Sequence, residues 1–596
     1  LKNKLPINYI NGIRLHRSVT AGLHRVVSRQ EYLNKINVFP VPDGDTGTNM
    51  AYTLTTIEEG IRDKAYKDIK RMSMAIADSA LDGARGNSGA ILAQFFVGFA
   101  DGIKEKVSLT AKDFAQAAIH AKDYAYDALT HPREGTILSV IKAWSESLLE
   151  SCNNSNDILL MLSKGLDVAQ LSLKNTPKQL DVLAKAGVLD AGAQGFVDML
   201  EGINEYITSG KIIESDLEVI DQENENIDFV TNEKYRYCTE CIILGKEIHR
   251  RKLQEKLLDF GNSIVLAGTK NKVKVHIHSD VPREVFSICS EYGTISGEKT
   301  DDMIKQQSDA HKKHSPMAVI VDSGCDLPED IIESLNIHVI PVKLNFGDVH
   351  YVDKVSLTSK EFWKEMKSNP IHPQTSQPSP GDFRRQYQFL SSHYDSAISI
   401  HIPKKLSGTY QSAVTASKTV SNFQLEVKDC INGSIGMGLI AMRVAEAIQK
   451  GKNYEEVSKI LDDSIKNTKI YIGFNKLDNA VKGGRISPTL KEITNFLRIN
   501  PIITFKEEGI KPIGITFGRK NKPDKFKRFV ESKIPKNNNF RIGIAHTNME
   551  KFASKWAKNL RNQYGKENVV LTDVGPALGV HAGPNSLIFA IQTYDK

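Results

Sequence analysis

Residues 37–49 read Asn37-Val-Phe-Pro-Val-Pro-Asp43-Gly-Asp45-Thr-Gly-Thr48-Asn49, and this stretch decides how the N-terminal third of the chain is interpreted. Asp43 and Asp45 are separated by one residue in a loop rich in Pro and Gly. Two carboxylates at this spacing can converge on a hard cation such as Mg²⁺, which prefers oxygen ligands. The alternative is an Asp-Gly turn whose side chains bond only their own backbone. The spacing alone leaves both interpretations open.

Helical patterns surround this loop from about residue 8 to residue 205. Ala- and Leu-rich amphipathic runs, broken by Gly and Pro clusters, predict an all-α domain. The segment GARGNSG at residues 83–89 precedes an apolar helical run, so its free N–H groups and the helix dipole can hold a phosphate. Two further polar breaks interrupt the helical pattern, EGTIL at residues 134–138 and AGVLDAGAQG at residues 186–195.

The composition changes twice after the helical region. Residues 214–228 (ESDLEVIDQENENID) carry too little apolar surface to order themselves, which predicts a linker. Strand-like and helical runs then alternate, with a short basic break (HKKHSP) at residues 311–316. We therefore predict a multidomain protein, with the parts divided as follows: an all-α domain over residues 1–208, the acidic linker over 209–232, a small α/β domain over 233–310 and a longer α/β region over 317–596.

The four N-terminal segments, in this order, resemble the ATP-binding subunit of dihydroxyacetone kinase and, more closely, the N-terminal domain of bacterial fatty acid kinase. The resemblance implies a DhaL-like helical barrel that binds ATP, with Asp43 and Asp45 as catalytic ligands of Mg²⁺. Val38 stands where the dihydroxyacetone kinase pattern has a further Asp. The resemblance also implies a set of nucleotide-binding residues, namely Asn37, Thr48, Asn49, Asn87, Ser88, Thr136 and Asp190.

A candidate metal site lies in the small α/β domain. In KVKVHIH (residues 272–278) His276 and His278 project from one face of a predicted strand, and Cys238 in YCTE begins another strand. A thiolate and two imidazoles would give zinc three ligands and one open position, whereas Cys241 falls on the opposite strand face from Cys238. The alternative is a pair of half-buried structural histidines. Both segments are similar to the middle domain of fatty acid kinase, and this similarity implies a metal-binding cluster at Cys238, His276 and His278.

Polar segments interrupt the apolar strands of the C-terminal region. TSQPSP (375–380), LSGTYQSA (406–413) and HAGP (581–584) offer neutral hydrogen-bond donors for one anion, although Ser and Thr also cluster at ordinary turns and helix caps. With VDSGCDLP (321–328) and KGGRIS (482–487), these segments resemble the DegV family of fatty-acid-binding proteins. The resemblance implies two α/β lobes with an acyl chain in a tunnel. It also implies a fatty-acid-binding set, with His581 counted as catalytic: Thr375, Ser376, Ser407 and His581.

The bulk composition excludes several other classes of protein. The net charge of +7 is a small excess of 78 basic over 71 acidic residues, so no nucleic-acid partner is expected. No run approaches the roughly 20 apolar residues of a membrane span. Six scattered cysteines do not make a disulfide framework and fit a reducing compartment. We expect a cytoplasmic protein without a transmembrane segment.

These interpretations converge on one reaction, the transfer of the ATP γ-phosphoryl group to a fatty acid carboxylate to give an acyl phosphate for phospholipid synthesis. The expected cofactors are ATP and Mg²⁺, with zinc in the middle domain. The expected partners are a fatty acid, a second copy of the chain in a homodimer and a downstream membrane acyltransferase. Two alternatives stay open, a small-molecule kinase like dihydroxyacetone kinase and a fatty-acid carrier or regulatory protein without kinase activity.

Overall fold

The structure, a computed structural model, describes residues 6–42, 44–210, 234–304, 316–391, 393–420, 423–518, 520–536 and 539–594 of the 596-residue chain. The chain divides into two compact units, residues 1–312 and residues 313–596. Asp43 and most of the predicted linker, residues 211–232, lie outside the described residues.

The first 200 residues of the N-terminal unit form a helical domain, as predicted. A short antiparallel pair, Ile10–Asn11 with Ser108–Leu109, ties its start to a loop between two helices. The helices are Gly12–Ser28, Gln30–Lys35, Thr46–Ile61, Ile69–Gly83, Gly86–Gly102, Ala111–Asp127, Ile137–Cys152, Ile158–Lys174, Thr176–Gln179, Asp181–Ala186 and Ala191–Ser209.

Local sequence explains where these helices begin and how closely they pack. Thr110 and Asp113 form a capping box that satisfies the first N–H groups of the helix Ala111–Asp127. Small residues then let neighbouring helices approach. A Cβ atom at Gly98 would lie 2.6 Å from the Cβ atom of Tyr124, so only glycine fits this crossing.

Aromatic side chains fill the centre of the helical domain. The Phe196 ring lies 5.5 Å from the Phe95 ring and 5.8 Å from the Trp144 ring, in edge-to-face pairs. Phe196 is fully buried, and Trp144 is 4% exposed. Such pairs add to the hydrophobic stabilisation from burial, so this cluster anchors the helices that carry the polar loops at their ends.

The middle domain is a four-stranded antiparallel sheet with two helices. The strand order across the sheet is Asn262–Gly268, Lys272–Ser279, Tyr237–Leu244 and Thr294–Asp302. The helices are Arg250–Leu257 and Pro282–Ser290.

The middle sheet packs against the helical domain within the same compact unit. The backbone N–H of Leu266 donates to Ala128 O at 2.9 Å, and that of Gly268 donates to Gln94 Oε1 at 2.6 Å. Lys272 also pairs with acidic residues of the helix Ile69–Gly83. The two sequence domains therefore form one structural body, and residues from both can share a site.

The C-terminal unit contains two larger sheets and one small sheet, which fits the predicted two α/β lobes. The four-stranded parallel sheet has the order Gln424–Asp429, Ser396–His401, Met317–Asp322 and Ile337–Ile340. A three-stranded antiparallel sheet has the order Val349–Val352, Lys343–Phe346 and Gln374–Ser376. The six-stranded mixed sheet has the order Gly509–Phe517, Ile499–Lys506, Thr468–Gly473, Leu587–Thr593, Phe540–His546 and Val569–Asp573.

Helices cover these sheets, and the predicted multidomain fold class is confirmed. They are Glu329–Ser334, Ser359–Ser368, Pro380–Ser391, Thr409–Ser417, Ser434–Gln449, Tyr454–Asn467, Asp478–Lys482, Pro488–Phe496, Lys522–Glu531, Glu550–Tyr564 and Pro576–Ala582. Among the described residues, no helix combines the length and the apolar character needed to cross a bilayer.

The aromatic cluster generates a prediction about stability. Phe196→Ala removes a fully buried ring and leaves a cavity, so it should lower the free energy of unfolding of the helical domain by roughly 3–5 kcal/mol. Urea unfolding, followed by hydrogen exchange in the helix Ile137–Cys152, measures this loss. Leu171→Ala is the control, because Leu171 is 61% exposed and its truncation should change stability by less than about 0.5 kcal/mol. Equal effects of the two substitutions would contradict the assignment of the core.

Candidate functional site

Two loops of the helical domain and one face of the middle sheet meet in a small pocket of about 30 Å³. This volume holds an ion or a water and not a whole nucleotide, so most of a nucleotide would lie outside it. The helical domain contributes Asn37, Pro40, Val41, Asp45, Thr46, Asn49, Gly86, Asn87 and Ser88 to the lining, and the middle domain contributes Cys238, His276, His278 and Met303.

The first loop is held by its own side chains and by the middle domain. Asn37 Nδ2 donates to Val41 O at 2.9 Å, and Thr46 Oγ1 donates to Asn37 Oδ1. Val41 packs with Cys238 and Met303 of the middle domain. Asp45 follows as the N-cap residue of the helix Thr46–Ile61, which places its carboxylate at the pocket.

The second loop, residues 83–89, approaches Asn49 so closely that glycine is required at position 86. Gly86 has a φ of +58°, and a Cβ atom there would lie 2.5 Å from Asn49 Nδ2. A Cβ atom at Gly192 would lie 2.8 Å from Ser88 Oγ. The neighbouring Asn87 Oδ1 is buried without a hydrogen-bond partner in the described part of the chain, so this atom is available to a ligand.

The structure does not bring every predicted nucleotide-binding residue into the pocket lining. Thr48 is buried and pairs with Asn34, whose Oδ1 accepts from Thr48 N and whose Nδ2 donates to Thr48 Oγ1, both at 3.0 Å. Thr136 is the N-cap of the helix Ile137–Cys152. Asp190 Oδ1 accepts from Ile137 N at 3.1 Å and from Ala193 N at 2.8 Å, and burial raises its pKa to about 7. Thr136 and Asp190 therefore cap helix starts around the pocket, whereas Thr48 joins the first turn of the helix Thr46–Ile61 to Asn34.

The predicted metal ligands lie side by side on the middle sheet. Cys238 is opposite His278 in the strand register, and the two imidazole rings are 5.1 Å apart. Cys238 Sγ lies 3.6 Å from His276 Nδ1, and one ligand atom from each of the three residues lies within 4.8 Å of the others. His276 Nε2 is buried and has no hydrogen-bond partner among the described residues. The donor set therefore fits zinc.

The two cysteines of this strand have different positions. Burial raises the pKa of the Cys238 thiol well above its usual value, so its thiolate would need a cation to stabilise it. Cys241, by contrast, is fully buried and absent from the pocket lining. It belongs to the opposite face of the strand, away from the pocket.

The C-terminal unit contains a separate cavity of about 170 Å³ with one polar end. Its polar lining consists of Thr375, Gln377, Ser407, Ser434, Arg485 and His581. The rest is almost entirely apolar, including Val342, Ile402, Leu406, Ile470, Ile472, Phe474, Ile503, Phe505, Ile510, Leu578 and Ile588. A cavity of this character suits a ligand with one polar head and an apolar tail.

His581 is the centre of the polar end. Its Nε2 lies 3.3 Å from Thr375 Oγ1, and a Cβ atom at Gly483 would lie 2.1 Å from its Nδ1, so the KGGRIS turn closes directly over the ring. Arg485 donates to Leu406 O from the same turn. Burial, with the positive charge of Arg485 and the nearby His372, lowers the pKa of His581 to about 4. The imidazole is therefore neutral at neutral pH.

Ser376 is exposed and does not line the cavity, because it alternates to the other side of its short strand from Thr375. Asn585, in the loop after His581, has a φ of +61°. Asn is among the few residues that adopt this left-handed conformation readily, so the loop keeps a glycine-like backbone.

Three family models match the chain in succession. Residues 40–205 match the DAK2 domain, residues 234–310 match the FakA-like middle domain of fatty acid kinase, and residues 316–593 match "Uncharacterised protein, DegV family". The chain is thus similar, in succession, to a DAK2 domain, to a fatty acid kinase middle domain and to a DegV-family protein.

Curated relatives match a little over half of the chain. An uncharacterized protein of Staphylococcus saprophyticus is 30% identical over 57% of this chain and 63% of its own length. One of Staphylococcus aureus is 32% identical over 52% of this chain and 59% of its own length. The chain thus spans less than two thirds of these relatives.

Solved DegV-family structures match a little under half of the chain. One from Thermus thermophilus, described by its fatty acid binding, is 25% identical and covers 47% of this chain and 100% of its own, with a TM-score of 0.43. DegV of Bacillus subtilis, described as a fatty acid binding protein, is 28% identical and covers 47% and 99%, with a TM-score of 0.43.

Sequence reasoning missed several residues around the N-terminal pocket. Asn34, which holds Thr48, has no motif that marks it. Glu240 and Lys274 are different, because they share the strand parity of Cys238 and His276. Charged residues at alternate positions of otherwise apolar strands are a signal that could have indicated Glu240 and Lys274. The sequence analysis assigned this strand face to the metal site alone.

The low pKa of His581 generates a prediction. In the ligand-free protein the His581 imidazole should titrate with a midpoint of about 4. Arg485→Gln removes a neighbouring positive charge and should raise this midpoint, and a bound carboxylate should raise it too, because a negative charge stabilises the protonated ring. NMR of ¹³C-labelled histidine, assigned with His581→Gln, measures the midpoint. A midpoint near 6.5 that Arg485→Gln leaves unchanged would contradict the described environment.

Proposed function

We propose that the protein is a fatty acid kinase, which transfers the γ-phosphoryl group of ATP to the carboxylate of a fatty acid bound in the C-terminal unit. The products are an acyl phosphate and ADP. The observation that carries the proposal is the cavity of the C-terminal unit, whose mostly apolar lining also includes Thr375, Ser407 and His581, in a chain whose N-terminal part matches kinase domains.

At the nucleotide end, Asp43 and Asp45 would hold Mg²⁺, and Asn37, Asn49, Asn87 and Ser88 would orient the phosphates. Bound Mg²⁺ neutralises phosphate charge in such a transfer. Thr48, Thr136 and Asp190 support the same site indirectly, since their hydrogen bonds set the helix starts that carry these side chains.

At the acceptor end, the chain has to position the carboxylate without neutralising it. A fatty acid carboxyl with a pKa near about 4–5 is ionised at neutral pH, so no general base is required. The hydroxyls of Thr375 and Ser407 and the neutral ring of His581 offer uncharged donors that aim the carboxylate while preserving its nucleophilicity. The surrounding Ile and Phe side chains would hold the acyl chain.

Several finer points belong to the same proposal. Cys238, His276 and His278 would hold zinc, which would stabilise the sheet face that covers the nucleotide loops. The acyl phosphate would pass to a membrane acyltransferase for phospholipid synthesis. We further propose that the protein is cytoplasmic and acts as a homodimer.

The proposal differs from its two alternatives in a measurable way. A carrier or regulatory protein would bind fatty acid but consume no ATP. A small-molecule kinase like dihydroxyacetone kinase would consume ATP with a hydroxyl acceptor and without fatty acid. Acyl phosphate, trapped as a hydroxamate, should form only when ATP and a long-chain acid are both present.

Replacement of Asp45 tests the nucleotide end. Asp45→Asn removes a magnesium-ligating charge and should lower the rate of acyl phosphate formation by at least about 10²-fold, while bound lipid is retained. The rate is measured by hydroxamate trapping, and the lipid by native mass spectrometry, which also counts the chains in the assembly. The control is Asp63→Asn, an exposed carboxylate of the same domain, which should leave the rate unchanged. Normal turnover by Asp45→Asn would show that the metal assignment is wrong.

Replacement of the hydroxyls tests the acceptor end. Thr375→Val and Ser407→Ala each remove one donor to the carboxylate and should lower the rate roughly 10-fold or more, with the KM for ATP unchanged. Ser376→Ala is the matched control, because Ser376 is exposed and outside the cavity lining. A loss with Ser376→Ala as large as that with Thr375→Val would contradict this arrangement.

A further inference from the structure

Glu240 is a fully buried carboxylate at the junction of the middle sheet and the helical domain. It lies on the strand Tyr237–Leu244, two residues after Cys238 and on the same face. A buried carboxylate is costly unless several groups compensate it, so its contacts define what it does.

The first contact is with the phosphate-side loop. Glu240 Oε1 accepts a hydrogen bond from the backbone N–H of Gly86 at 2.8 Å. Gly86 begins the helix Gly86–Gly102, and Asn87 and Ser88, which line the pocket, follow it directly. The middle domain therefore fixes the backbone from which these two side chains project.

The second contact is with the Cys/His cluster. The same atom, Glu240 Oε1, lies 3.0 Å from His276 Nδ1. A carboxylate that accepts from one ring nitrogen sets the tautomer and orientation of the imidazole, and so the position of the other nitrogen. One oxygen atom is thus shared between the loop and a predicted metal ligand.

Basic side chains keep this carboxylate charged. Lys274 Nζ lies 3.0 Å, Arg85 Nη1 3.6 Å and Lys299 Nζ 3.8 Å from Glu240 Oε2. Three basic groups around one oxygen compensate the burial of this carboxylate. Glu240 is therefore an acceptor for both neighbours.

We propose that Glu240 is a positioning residue that couples the nucleotide loop to the Cys238/His276/His278 site, so that zinc binding and nucleotide binding strengthen each other. A metal that holds His276 fixes Glu240, and Glu240 fixes Gly86. Because coupling between two sites is reciprocal, nucleotide must raise zinc affinity by the same factor. The inference rests on the nucleotide-binding part of the proposed function and not on the fatty acid acceptor.

The test is the affinity for MgADP of the full chain, measured by calorimetry with zinc bound and after zinc removal by a chelator. In the unsubstituted protein, zinc should tighten MgADP binding by at least about fivefold. In Glu240→Asp, the charge stays but the shorter side chain cannot reach Gly86 and His276 together. The ratio of the MgADP affinity with zinc to that without zinc should therefore fall towards one.

A second variant guards against loss of folding. Glu240→Gln combined with Lys274→Met removes opposite buried charges together, which costs less stability than removing one of them. The ratio should again approach one, and hydrogen exchange should rise in residues 85–89. Thr239→Val is the matched control, because Thr239 is equally buried on the same strand but faces the other way, and it should keep the full ratio.

The ratio of MgADP affinities with and without zinc separates a loss of coupling from a general loss of structure. A merely structural role of Glu240 would weaken MgADP binding equally with and without zinc. A ratio of one in the unsubstituted protein, or an unchanged ratio in both Glu240 variants, would overturn the proposal. MgADP binding needs no acyl acceptor, so a protein that shows the coupling but forms no acyl phosphate would disprove the fatty acid kinase activity alone.

Discussion

The approach of the middle sheet to the backbone of Gly86 is the constraint on which the N-terminal site depends. Gly86 has a left-handed φ, and no side chain fits between it and Asn49. Its N–H donates to Glu240, which belongs to a different sequence domain. The pocket is therefore formed by residues of two sequence domains.

The sites of the two units use charge differently. Around Glu240, the basic residues Lys274, Lys299 and Arg85 surround a buried carboxylate. The lining of the C-terminal cavity has one guanidinium, that of Arg485, which donates to Leu406 O, beside the neutral His581 and the hydroxyls of Thr375 and Ser407. A permanent ion pair stabilises a fixed structure, whereas uncharged donors can orient an anion without neutralising it.

Helix capping accounts for the predicted residues that do not line the N-terminal pocket. Asp190 is conspicuous in the sequence as a polar break in a helical pattern, and its carboxylate holds two helix starts, those of Ile137–Cys152 and Ala191–Ser209. Thr136 caps the first of these. Sequence does not distinguish a side chain that caps a helix from one that contacts a ligand. Carboxylates and hydroxyls of both kinds stand in short polar segments before apolar runs.

The sequence by itself determined the fold class, because strand and helix periodicity and the changes in composition are local properties. It also indicated the segments that form both sites, since the loops around Asp45 and Ser88 and the residues Thr375, Ser407 and His581 each stand out from their surroundings. Only the tertiary structure decided that the Cys238 cluster belongs to the same pocket as Asp45, and that Glu240 connects His276 of this cluster to Gly86. The hydrogen bond between Gly86 and Glu240 joins residues 154 positions apart, and its existence depends on how a sheet packs on helices, which no local pattern records.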